Sequence, residues 1–156
     1  MKTILLWAAI TGALVGCSAG PLAPPATTAA KSAKVEAASR AVKTGAYAQA
    51  EVLLSDFVYR SDNGSLKLRR MALSGETRKL AIDTVVSLLW ETRRDVTLTT
   101  FAADYLPRYE RDVTLCRLTE RQARYQDAYR CWNELGHVDR AERVVRTQAT
   151  IDILRD

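Results

Sequence analysis

The chain predicts an all-α domain, either an array of helical hairpins or a small helical bundle, behind a disordered tether. Three observations carry this. Apolar residues recur at spacings of three and four over most of the length beyond residue 30, the period of a helix with one buried face. Alternation of the kind a strand shows is confined to VTLTTF at Val96–Phe101, where Leu98, Phe101, Ala102 and Tyr105 at i, i+3, i+4 and i+7 suit a helix better. The punctuation is sparse, with Gly45, Asn63-Gly64, Gly75, Pro107 and Gly136 as its main marks.

Taken in order, these marks delimit helices near 31–44, 46–60, 66–73, 76–94, 97–110, 114 or 119 to 135, and 138–154. The first has Ala38 and Ala41 for close packing, and the second begins behind Gly45 with Tyr47 and Ala50. The third lies between Asn63-Gly64 and Gly75. In the fourth, Ile82, Val85, Val86, Leu89 and Trp90 form an apolar face wide enough for a central core helix. The fifth carries the Leu98–Tyr105 stripe. For the sixth, Thr119-Glu120-Arg121-Gln122 has the form of a capping box, and Gly136 sits where a terminating glycine belongs.

Upstream of the domain, Lys2 precedes an apolar run from Ile4 to Ile10 that small residues extend to Val15. This is the layout of a secretory signal over 1–16, and it is shorter than the roughly 20 apolar residues of a membrane span. It ends in Leu14-Val15-Gly16-Cys17, which resembles the lipobox of bacterial lipoproteins. That resemblance implies cleavage before Cys17, a diacylglyceryl thioether on its sulfur, and acylation, commonly by palmitate, of the freed amine. A thiolate is the nucleophile such a bond requires. Several acyl chains, at about 0.8 kcal/mol per buried methylene, hold a protein firmly to a bilayer. In that family an Asp after the cysteine often retains the protein at the inner membrane; here Ser18 follows, so the outer membrane, facing the periplasm, is expected.

Residues 17–30, SAGPLAPPATTAA after the cysteine, hold three of the four prolines. Such a tract buries too little apolar area to offset its ordering entropy and is expected to be an extended tether. Cleavage would leave 140 of the 156 residues and lower the net charge from +5 to +4 by removing Lys2. That length suffices for one domain with a core. The balance is mildly basic, with 17 Arg among the 23 basic residues, and gives no reason to expect nucleic acid as a partner.

Two segments resemble each other. KTGAYAQAEVLLSDF from Lys43 and ELGHVDRAERVVRTQ from Glu134 align Gly45 with Gly136, Ala50 with Ala141, Glu51 with Glu142, and Leu53 with Val144. Each reads as a helix, a glycine turn and a second helix, giving hairpins near 31–60 and 119–154. This is similar to the helical hairpin of tetratricopeptide repeats, in which the turn glycine is followed by an aromatic and then an alanine. Gly45, Tyr47 and Ala50 match that pattern, and Tyr125, Ala128, Tyr129 and Trp132 lie at fitting positions before Gly136; Val138 stands where the pattern has Tyr. The middle of the chain does not follow a 34-residue period.

An exported protein meets an oxidising compartment, where Cys116 and Cys131 can pair. On one continuous helix their 15-residue separation spans about 22 Å, far beyond the roughly 7 Å limit for a disulfide. A helix starting at Thr119 would instead let Cys116 fold back. A structural disulfide and two inert buried thiols both remain open. Neither cysteine has the spacing of a metal site, and no cofactor is expected.

Catalytic signals are absent. His137, the only histidine, follows Gly136 at a helix start, where a surface polar residue is ordinary. Glu110 with Asp112, and Asp56 with Asp62, stand at helix ends and turns. There is no glycine-rich phosphate cradle, and no small-molecule substrate is indicated. The expected function is therefore non-enzymatic: an outer-membrane lipoprotein that serves as a protein-interaction scaffold or assembly factor for a secretion, pilus or outer-membrane complex. Tyr47, Tyr59, Arg124, Tyr129 and Arg140 are the candidate contacts, being residue types enriched at hot spots. Two alternatives are an inhibitor or immunity lipoprotein directed at an envelope enzyme, and a binder of anionic envelope polymer through RLTERQARYQDAYR.

Overall fold

The computed structural model describes residues 27–70 and 72–155. Along the chain come α1 (Thr28–Lys43), α2 (Tyr47–Leu54), β1 (Val58–Arg60), β2 (Leu66–Leu68), α3 (Gly75–Glu91), α4 (Asp95–Tyr105), α5 (Arg108–Arg121), α6 (Tyr125–Glu134) and α7 (Val138–Arg155). The domain is all-α, with one small hairpin of strands. The signal segment, Cys17 and most of the expected tether lie outside the described residues. The exception is Thr27–Ala30, which caps and begins α1 and is not tether. Thr27 starts the helix early by accepting the Ala30 N–H on its side-chain oxygen at 3.2 Å, satisfying a donor the helix itself cannot.

α1 buries Val35, Ala38, Ala41 and Val42, and α2 folds back on it through Ala50 and Leu54. Small residues on both sides let the axes approach. The expected helix over 46–60 stops at Leu54, and that over 66–73 does not form. In their place Val58, Tyr59 and Arg60 pair antiparallel with Leu68, Lys67 and Leu66. The cause is the Ser61–Ser65 loop. Gly64 adopts φ +79°, and the Asn63 side-chain oxygen accepts from the Ser61 hydroxyl at 2.7 Å and the Ser65 N–H at 3.0 Å. Asn-Gly between β-prone residues favours a hairpin, but strands of three residues are too short to show alternation. The Tyr105 hydroxyl accepts the Leu68 N–H at 2.9 Å, tying this hairpin to α4.

Lys67 reinforces that tie through Asp104 at 2.5 Å. The hydrogen bond to the Asp104 carboxylate raises the Lys67 ammonium above its ordinary 10.5, more than desolvation lowers it. A raised folded pKa means the contribution is fully present below pH 10.5 and disappears as pH climbs through the higher folded value. Unfolding followed from pH 9 upward should therefore show an alkaline loss of stability that Asp104→Asn diminishes.

α3 buries Ala81, Thr84, Val85, Leu88 and Leu89; Ile82, Val86 and Trp90 are half-buried at the edge of that stripe. The expected helix over 97–110 is divided. Leu106, the residue before Pro107, is extended at φ −88° and ψ 143°, as proline demands of its predecessor, and Pro107 then precedes α5. The long helix toward 135 is divided too, at residues 122–124. Thr119 is no cap: its hydroxyl donates to the Leu115 carbonyl at 2.8 Å within α5. The C-terminal hairpin therefore comprises α6 and α7, and residues 119–121 belong to α5.

One turn construction occurs four times. Gly45, Arg93, Ala123 and Gly136 all have positive φ, at +77°, +55°, +57° and +76°. In each turn the residue after them donates its N–H to a carbonyl five positions back: Ala46 to Ala41, Arg94 to Leu89, Arg124 to Thr119, and His137 to Trp132, over 2.8–3.1 Å. This is the Schellman closure, which satisfies carbonyls at a helix end. Five residues beyond each left-handed position stand Ala50, Leu98, Ala128 and Ala141, all fully buried. The glycine resemblance between the two ends thus extends to two further turns that lack glycine. A left-handed conformation strains any residue with a Cβ. Arg93→Gly and Ala123→Gly should each stabilise the fold by about 0.5–1 kcal/mol, and Gly136→Ala should destabilise it by about 1–2 kcal/mol; chemical denaturation reads both. A Cβ at Gly136 meets nothing within 4 Å, so backbone strain alone sets that cost.

The core has two parts. The larger joins α1–α4 and the hairpin around Leu54, Val85, Leu89 and Phe101; the smaller holds Cys116, Ala128, Trp132, Ala141 and Val144. α5 belongs to both, placing Leu118 in the first and Cys116 in the second.

Candidate functional site: an arginine and aromatic groove

The end of α5 is fixed against the α3–α4 turn by polar contacts. Arg121 donates to the Trp90 carbonyl at 2.7 Å and pairs with Asp95, while the Gln122 side-chain amide donates to the same Asp95 at 3.1 Å. With the backbone so held, the Trp90 ring is covered by two guanidiniums, Arg121 at 3.9 Å and Arg117 at 4.5 Å from its centroid. Arg117 and Arg121 lie one helical turn apart, so both reach the same ring. Such stacking contributes about 0.5–2 kcal/mol, depending on desolvation.

Beside this ring, Glu120 accepts from Trp132 Nε1 at 3.2 Å and from Arg140 at 3.2 Å. Arg140 in turn covers the Trp132 ring at 4.3 Å. The result is a groove of about 300 Å³ bordered by Trp90, Arg117, Arg121, Glu120, Arg140 and Tyr125. A smaller cavity of about 180 Å³ between α3 and α5 shares Trp90 and Arg117 with it. Tyr125 also borders a second, mostly apolar groove of about 350 Å³ between α6 and α7, with Tyr129, Arg130 and Val145. The α5–α7 region therefore offers two adjoining grooves, one cationic and aromatic, the other apolar.

The five contact residues expected from sequence do not form one face. Tyr47 is half-buried against the larger core and is a packing residue. Tyr59 is exposed on β1, under the Arg69 guanidinium at 5.5 Å. Arg124 is paired with Asp127 at 2.7 Å beside the α5–α6 turn. Tyr129 and Arg140 do reach grooves, though different ones. Trp90 was missed as a contact because the helical pattern of α3 assigned it to the core, and Arg117 was expected only as part of the arginine-rich segment 117–130 and not as a contact in a groove. The spacing of Arg117 and Arg121 was the available signal, but the ring they share is distant in sequence.

Within the segment proposed for polymer binding, Arg121 and Arg124 are neutralised by Asp95 and Asp127, and Arg130 approaches Asp127 at 3.9 Å. This internal pairing leaves less charge for a polymer than the sequence count suggests. His137 packs edge-on against Trp132 at 5.5 Å, and its Nε2 lies 2.8 Å from the Tyr109 hydroxyl, a contact that braces the α6–α7 turn. Asp56 and Asp112 are likewise occupied, by Lys34 and Arg111.

Cys116 on α5 and Cys131 on α6 form a disulfide with a Cα separation of 5.4 Å. Cys116 is itself helical and fully buried; the break at 122–124, and not a late helix start at Thr119, brings the two together. Among the described residues no cluster of His, Cys, Asp and Glu could hold a metal ion, and no helix is long and apolar enough to cross a membrane. No family model, curated protein or solved structure matches the chain. The fold defines the class: an all-α domain of helices, four of whose junctions share one turn.

Proposed function

We propose that this chain is a lipid-anchored, non-enzymatic interaction scaffold of the bacterial outer membrane, facing the periplasm and serving the assembly of an envelope complex. The observation that carries the reading is the pair of adjoining grooves on α5–α7, lined by arginines and aromatic rings. A partner segment laid across them would bury Trp90 and Tyr129 at its centre and meet Arg117 at its edge, the composition expected of a hot spot. The repeated turn supports the tetratricopeptide-like reading, because it stacks hairpins side by side and leaves grooves between successive helices. The LVGC sequence at Leu14–Cys17 supports the anchor.

Crosslinking in intact cells, with partners identified by mass spectrometry, tests this. Recovery of a secretin, pilus or outer-membrane assembly component, lost in a Trp90→Ala/Arg117→Ala variant, is the expected result. Recovery of a single soluble hydrolase or toxin would replace the scaffold with an inhibitor or immunity role. Separately, Cys17→Ser should move the protein from the membrane to the soluble fraction and remove the acyl mass from the mature chain. Unchanged partitioning and mass would end the lipoprotein reading.

A further inference from the structure

A polar cavity of about 330 Å³ lies where α1 and α3 begin, lined by Thr28, Lys31, Arg70, Ser74 and Thr77 above an apolar floor of Ala72 and Leu73. Two features distinguish it. First, its lining holds two cations and no carboxylate. Three other cavities bordered by Lys or Arg include an acid in their linings, Glu120 with Arg140, Asp83 with Lys43 and Glu91 with Arg117. Several cations elsewhere are neutralised at close range, with Lys34 taking Asp56, Lys67 taking Asp104, Arg94 taking Glu51 and Arg121 taking Asp95. Lys31 and Arg70 have no such partner among the described residues. Like charges gathered in one concavity repel, and a bound anion removes that repulsion.

Second, the hydroxyls there have no hydrogen-bond partner among the described residues. Threonines deeper in the helices donate back to a carbonyl four residues earlier, as at Thr84, Thr92, Thr99 and Thr119; Thr28 and Thr77 stand in first turns, where no helical carbonyl lies four residues back. The side-chain hydroxyls of Thr28, Ser74 and Thr77 make no hydrogen bond among the described residues, and the Ser74 side chain leaves the first N–H groups of α3 uncapped. Two cations and three such hydroxyls around one cavity provide donors for a tetrahedral oxyanion. Arg and Lys suit phosphate in complementary ways, as a planar fork and a point charge.

We infer that this cavity binds the phosphate of an anionic lipid headgroup. The choice of a lipid source rests on the lipid-anchored reading proposed above, and on position. Thr28 lies eleven positions after Cys17, a reach of at most about 40 Å. The cavity lies on the first turn of the described chain and is held near the bilayer if Cys17 is acylated. A tethered domain needs little intrinsic affinity for a surface so close, because the tether raises the local concentration of headgroups. Occupancy would orient the domain, with α1 and α3 beginning at the lipid surface.

The test uses the chain from residue 17 carrying Cys17→Ser, so that no acyl group contributes, with vesicles of phosphatidylglycerol or of phosphatidylcholine. Preference for phosphatidylglycerol is expected, and Lys31→Gln/Arg70→Gln should weaken partitioning to those vesicles about 30-fold with helicity and melting unchanged. Lys43→Gln/Arg143→Gln removes the same charge elsewhere and should alter it less than three-fold. Equal binding to both vesicles, no effect of Lys31→Gln/Arg70→Gln, or an equal loss in the control pair would each overturn the proposal. Saturable binding of glycerol 3-phosphate without vesicle preference would overturn the lipid assignment in favour of a soluble phosphate compound. Since this protein lacks the acyl anchor, the vesicle result stands apart from the lipoprotein reading, which the mass of the native mature chain decides.

Discussion

Trp132→Ala is expected to lower the unfolding free energy by about 3–5 kcal/mol, a large share of the roughly 5–15 kcal/mol available to a small domain. Trp132 is 1% exposed and is the largest side chain of the smaller core. Its neighbours there, Cys116, Ala128, Ala141 and Val144, are too small to collapse into the space it leaves. The substitution also removes the N–H that Glu120 accepts and the ring that Arg140 covers. Trp132→Phe retains most of the volume and loses mainly the hydrogen bond, so about 1–2 kcal/mol is expected. Urea denaturation distinguishes them: equal losses would mean that the polar contacts, and not volume, hold this core.

Removing the Cys116–Cys131 disulfide ranks next. Its 15-residue separation predicts a loss of about 3 kcal/mol from the added entropy of the unfolded chain. The effect should concentrate in α5–α7, because five buried residues form that core and small cores depend on such links. Reductant should lower the midpoint of the native chain and speed amide exchange in α6 and α7. The Cys116→Ala/Cys131→Ala variant should start lower and show no response to reductant. A native chain indifferent to reductant would show that helix packing alone secures this end.

The helical character was legible because the apolar period recurs along α1, α3, α4 and α7 and because burial of one face is a local property of each helix. The turns at Gly45 and Gly136 were legible for a related reason: glycine marks a left-handed position. The equivalent turns at Arg93 and Ala123 were not, since neither residue announces positive φ and tertiary packing imposes it. The β1–β2 hairpin escaped notice for lack of length. Its Asn63-Gly64 was visible, but three-residue strands become strands only by pairing with each other and with Tyr105. Proline at 107 was read as punctuation, yet its helix was extended to residue 110; the steric restriction on Leu106 ends it sooner.

The candidate site was less legible than the fold. Its parts come from Trp90, Arg117 and Arg140, on three helices whose approach no local pattern encodes. Of the expected contacts, Tyr47 went to the core because its helix faces α1, while Arg124 was taken by Asp127.

By itself, then, the amino-acid order determined that this chain is helical, where two of its turns fall, and that a lipobox-like cysteine precedes a proline-rich tract. Those properties depend on neighbours within a few residues, through periodicity, backbone preference and a short contiguous motif. Only the tertiary structure decided the course of the chain at 122–124, the pairing of Cys116 with Cys131, the splitting of the core, and which arginines are neutralised. Each of these depends on distances between residues far apart in sequence, set by how helix faces pack against one another.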